Sequence, residues 1–175
     1  NYNVIEADQV DELILFNQND LLSDSDTGTF TKQGTVTSSN LSGLGMGGDV
    51  NVGGKLIRGG VSYYNIETLD LKLGQGNNDL LIKSTPHATT KISTGAGTDN
   101  VQIESTNGNV FIDTSSDIDS GSVNDSVTIS DGGTSDQIGG LLVIGGQTGN
   151  KIDSILIDDS RESDDNQGLI TANSI

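Results

Sequence analysis

The chain has 175 residues, of which 47 are Leu, Ile, Val or Phe, a share well above the roughly 20% below which chains stay disordered. The absence of cysteine and tryptophan and a single histidine, His87, exclude a disulfide scaffold, thiolate metal sites, cysteine catalysis and most zinc hydrolase constellations. Eight basic against 25 acidic residues give a net charge of −17, which opposes nucleic acid and anionic lipid and favours cations, and no apolar run nears the roughly 18 residues of a membrane span.

In chain order, Ala7 to Leu15 is the first patterned stretch, keeping Asp11, Leu13 and Leu15 in alternation. An amphipathic helix over Asp11 to Leu22 competes with a strand here, and the alignment of Asp11–Leu15 on Asp153–Ile157 favours the strand. Gly43-Leu-Gly-Met-Gly-Gly48 satisfies the G-x-G-x-x-G string of dinucleotide sites. That chemistry needs a strand before it and a helix after it to aim amides at phosphate, and neither is readable, so Leu44 and Met46 read as plugs of a core end.

From Leu69 onward the chain alternates between two kinds of segment. Leu69, Leu71 and Leu73, then Lys91-Ile-Ser93, Val110-Phe-Ile112 and Leu141-Leu-Val-Ile144 form one series of short alternating stretches. The other series opens on glycine and carries Asp or Asn four residues later, followed by apolar residues at alternate positions. Its four copies run Gly74 to Ile82, Gly95 to Ile103, Gly121 to Ile129 and Gly149 to Ile157, at spacings of 21, 26 and 28 residues. Alternation bounded by Gly, Asn, Asp and Ser predicts strands, glycine supplies positive φ at corners, and periods of this length signal stacked repeats. The predicted fold is all-β, a parallel β-helix or β-roll-like solenoid with coils of about 21 to 28 residues. Ile82, Ile103, Ile129 and Ile157, with Leu80, Val101, Val127 and Ile155 two residues earlier, are expected in equivalent inward positions.

A longer repeat encloses the short one. Residues 21–41 align without gaps on 155–175, pairing Asp24 with Asp158, Gln33-Gly34 with Gln167-Gly168 and Thr37 with Thr171. The chain is therefore read as one long unit, 1–154, followed by the start of a second, 155–175, as in a segment of a tandem array.

The turn Thr94-Gly-Ala-Gly-Thr-Asp-Asn-Val-Gln102 resembles the repeat-in-toxin nonapeptide G-G-x-G-x-D-x-U-x except at Thr94, and the glycine turns together are similar to long repeats of very large secreted bacterial and algal surface proteins. Asn78 stands where the pattern has Asp, and Val123 and Lys151 replace a turn glycine. The resemblance implies an extracellular, cell-surface, non-enzymatic structural or adhesive segment or filament. Its expected partners are neighbouring copies of the same repeat, with surface polysaccharide as another candidate.

Calcium is the sharpest chemical expectation, since stacked turns present backbone carbonyls and one carboxylate per coil, and Ca²⁺ takes six to eight oxygens. Asn78, Asp99, Asp125 and Asp153 are the candidate metal residues, with the backbone of Gly74, Gly76, Gly95 and Gly97. The plain alternative is that each Asp caps its own turn. Asp158, Asp159, Glu162, Asp164 and Asp165 form a denser acidic loop that reads as solvated. Asp117 and Asp119, with Asp113 nearby, carry the alternative of a carbohydrate-binding or carbohydrate-cleaving protein. His87 reads as a loop residue, and Asn40 and Asn124 each begin an N-glycosylation triplet.

Overall fold

The computed structural model describes residues 4–6, 11–17, 33–114, 124–146, 154–164 and 167. Among these the chain forms fifteen short strands and no helix. They are β1 (Val4–Glu6), β2 (Glu12–Phe16), β3 (Gly34–Val36), β4 (Asn40–Ser42), β5 (Val50–Val52), β6 (Lys55–Ile57), β7 (Val61–Tyr64) and β8 (Thr68–Lys72). The remainder are β9 (Asp79–Ile82), β10 (Thr89–Ser93), β11 (Asn100–Ile103), β12 (Val110–Asp113), β13 (Ser126–Ile129), β14 (Leu142–Gly145) and β15 (Ser154–Ile157).

From β8 onward consecutive strands alternate between two sheets. The five-stranded sheet has the order β14-β12-β10-β8-β2, and the eight-stranded sheet ends β3-β9-β11-β13-β15, all of these neighbours parallel. The period-2 pattern sets the register. Leu80, Val101, Val127 and Ile155 lie side by side in one row, and Ile82, Ile103, Ile129 and Ile157 in the next. Facing rows run Leu13, Leu69, Thr90, Val110, Leu142 and Leu15, Leu71, Ile92, Ile112, Ile144. Both sheets feed one aliphatic cluster, in which Leu69, Leu71, Ile82 and Ile103 have no exposed surface.

The all-β class holds, but the expected parallel β-helix or β-roll-like solenoid does not. The strands fall into three separate sheets of eight, five and two strands, and the largest mixes parallel with antiparallel pairs. The departure begins at Thr37. Its backbone N–H donates to Asn40 O (2.9 Å), and its hydroxyl oxygen accepts from the N–H of Asn40 (3.0 Å), so the chain reverses through Ser38-Ser39. β4 therefore runs antiparallel to β3 and to β7, and the eight-stranded sheet continues β1-β7-β4-β3. Between β4 and β7 the chain makes a separate β5–β6 hairpin closed by Gly53-Gly54. Uniform coils would put one strand per coil in each sheet, and residues 37–64 break that order.

β2 is a strand, as the alignment with Asp153–Ile157 favoured. It lies in the five-stranded sheet, however, whereas the four glycine-turn copies end in β9, β11, β13 and β15 of the eight-stranded one. The Asp11–Leu15 copy is thus not a structural equivalent of the other four.

Candidate functional site: a ladder of Asn and Asp at the glycine turns

The glycine turns stack because the strands that follow them are in register, and stacking forces carbonyls close to neighbouring backbone. A Cβ on Gly95, at φ +88°, would sit 2.0 Å from Gly74 O, and one on Gly97, at φ +115°, 2.7 Å from Gly76 O. No side chain fits between the turns there, and left-handed φ suits glycine.

Behind these glycines Asn78, Asp99 and Asp125 form a buried column, exposed by 4%, 1% and 2%. The backbone N–H of Asn78 donates to Asp99 Oδ1 (2.8 Å), and the N–H of Asp99 donates in the same way to Asp125 Oδ1 (2.8 Å). Each carboxylate therefore ties its turn to the preceding one across 21 or 26 residues. Flanking residues repeat the device, since Thr98 N–H donates to Asn77 Oδ1 (2.9 Å) and Asn100 Nδ2 to Asp79 Oδ1 (2.8 Å). Asp153 lies outside the described residues.

The first two members of the column differ chemically. Asn78 Nδ2 is surrounded by Gly76 O (2.7 Å), Thr94 O (3.0 Å), Asp99 Oδ1 (3.1 Å) and Gly74 O (3.3 Å). Asp99 Oδ2 and the neighbouring Thr94 Oγ1 are buried without a hydrogen-bond partner. Burial pushes the Asp99 carboxyl up to about 7, helped by the charge of Asp125 and opposed by hydrogen bonding from Asn78 and by the nearby Thr94 side chain. A buried oxygen of this kind requires a partner, whether a hydroxyl donor such as Thr94, a proton of its own or a cation.

A second acidic group forms where the loop after β15 meets the loop after β13. Arg161 N–H donates to Gly133 O (2.8 Å), and Asp159 Oδ1 accepts from Ser135 N–H (3.0 Å) and its hydroxyl (3.2 Å). Carboxylate oxygens of Asp136, Asp159 and Glu162 thereby lie within 4.8 Å of one another. A hydrogen bond with Glu162 and its charge raise Asp136, while the same bond lowers Glu162. The loop at 158–165 was legible as acidic, but Asp136 was not, because only the fold brings it there. Asp165 lies outside the described residues.

Other expected positions separate. Gly43–Gly48 follows β4 but leads to the β5–β6 hairpin, with no helix N-terminus to meet a phosphate, and Leu44 and Met46 pack against the core. His87 is exposed in a loop with Nδ1 3.2 Å from Asn107 O. Asn40 is buried, and its Nδ2 donates to Gly59 O, Val61 O and Ser62 Oγ, all at 3.2 Å, so the folded chain does not present it for glycosylation. Asn124 is exposed. Asp113 is exposed at the end of β12, and Asp117 and Asp119 lie outside the described residues.

Comparison with family models, with curated proteins and with solved structures gives no match. No helix among the described residues is long and apolar enough to cross a membrane.

Proposed function

We propose that the chain is a structural segment of a large extracellular surface protein or filament, non-enzymatic, that extends by meeting further copies of the same repeat. The observation that carries this reading is that, among the described residues, the two sheets end at β14 and β15. Ile155 and Ile157 are in register with Val127 and Ile129, which are 2% and 6% exposed, yet they are themselves 51% and 40% exposed. With Ile138, Leu142 and Ile144 they line an open apolar cavity of about 750 Å³. Leu141, Val143 and Leu156 add exposed apolar surface, and neither strand carries a charge. Edge strands that end an assembly are commonly blunted by lysine, proline or a bulge, and these are not. The resemblance of the glycine turns to repeats of secreted surface proteins supports the extracellular assignment.

Calcium enters this reading at the Asp99–Asp125 junction, where the buried carboxylates of two successive turns come together. A bound ion would hold the two turns together and stiffen the segment.

Sedimentation equilibrium tests the assembly. The wild-type mass should rise with concentration, and a variant carrying Ile155→Glu and Ile157→Glu should remain a monomer with unchanged far-ultraviolet circular dichroism. A wild-type chain that is monomeric at every concentration would overturn the reading.

A further inference from the structure

Stacked glycine turns are expected to sandwich a metal between them, and the Asn78 turn does not fit one. Four oxygens from two successive turns converge on a single atom there, as they would on a cation, but the atom is Asn78 Nδ2. Their distances of 2.7 to 3.3 Å are those of N–H···O bonds and exceed the 2.3–2.6 Å typical of Ca²⁺ coordination. The amide NH₂ has two hydrogens, each partially positive, to share among these acceptors, so it satisfies the cage by hydrogen bonding without an ion. The side chain is buried and its own backbone N–H is bound to Asp99 Oδ1, which fixes the amide in place.

We infer that the Asn78 amide is a built-in substitute for a cation, so that the junction between the turns at Gly74–Asn78 and Gly95–Asp99 closes without metal, and that Asn78→Asp would convert the same oxygens into a calcium site. The substitution replaces the donor with a carboxylate oxygen facing Gly74 O, Gly76 O and Thr94 O, an all-oxygen arrangement that repels itself unless a cation enters. This inference rests on one turn and is independent of the extracellular and assembly readings.

Calcium titration calorimetry on the whole chain, wild type against Asn78→Asp, tests it. The variant should bind one more Ca²⁺ per chain than wild type, and its melting midpoint should fall in chelator and recover with millimolar Ca²⁺. A variant that is unfolded in chelator and folds on adding calcium gives the same support. Equal ion counts in the two proteins, or a variant that calcium does not stabilise, would overturn the inference. A measurement on wild type alone guards against a misfolded variant. The Asn78 side-chain NH₂ should give a pair of slowly exchanging nuclear magnetic resonance signals in chelator as well as in calcium, whereas rapid exchange in chelator would contradict the assignment.

Discussion

At the scale of single residues, the turns depend on what lies behind and between them. Asp99 is buried with its carboxyl raised from 3.8 to about 7, so the folded chain holds a proton that the unfolded chain has released. Folding stability should therefore be highest below about pH 4 with respect to this group, fall as pH rises to about 7, and stay at the lower level beyond. A shift of about three pH units corresponds to at most roughly 4 kcal/mol. Asp99→Asn removes that dependence while keeping an oxygen for the Asn78 N–H. In chelator, denaturant titrations at several pH values should show the variant more stable than wild type at pH 8 and the difference vanishing near pH 4. A wild-type stability in chelator with no such fall from pH 5 to 8 relative to the variant would refute the placement of Asp99. Gly95→Ala should cost more than about 1 kcal/mol, because it adds a Cβ at Gly74 O to the strain of left-handed φ. Gly45→Ala, also at positive φ but with nothing within 4 Å, should cost less in the same chemical denaturation.

At the scale of elements, burial depends on having a neighbour on both sides of the stack. Ile103 has no exposed surface, with Ile82 on one side and Ile129 on the other, so Ile103→Ala should cost about 2–5 kcal/mol. Ile157 occupies the same row but ends it at 40% exposure, and Ile157→Ala should cost less than about half as much in a dilute sample. Equal costs would mean that the last rung is covered. These rows were legible in the sequence because period-2 alternation decides which face a residue takes. It does not decide which sheet a strand joins, which is why Asp11–Leu15 matched Asp153–Ile157 in pattern and landed opposite it. Alternation was equally silent about direction. The reversal at Ser38-Ser39 depends on Thr37 and Asn40 bonding each other, and no repeat signals that. The β5–β6 hairpin did have a readable signal. Val50-Asn-Val precedes Gly53-Gly54 and Lys-Leu-Ile57 follows, both glycines have positive φ, and Gly54 N–H donates to Asn51 Oδ1 (3.0 Å). The candidate column was legible in its spacing, and Asn78 differed visibly from Asp. What spacing could not show was that the carboxylates accept from the preceding turn's backbone.

At the scale of the molecule, a charge of −17 works against self-association, so any contact between copies has to avoid it. The β14–β15 end meets that condition in its strands, although Asp158, Asp159 and Glu162 follow β15 directly. Association there should strengthen with added monovalent salt, which screens the acidic loops while leaving apolar contact intact. A sedimentation series in NaCl reads this directly, and weakening with salt would point to a charge-driven contact instead. The most direct measurement concerns β15, the edge strand among the described residues. Ser154 and Asp158 donate their backbone N–H groups to Asp125 O (2.8 Å) and Ile129 O (3.0 Å), so alternation along β15 turns the N–H groups of Ile155 and Ile157 away from β13. Hydrogen exchange at these two amides should be slow at high protein concentration, where another copy covers them, and fast on dilution. Fast exchange at every concentration at which the rest of the stack stays protected would contradict the proposal that this edge is built to receive another copy.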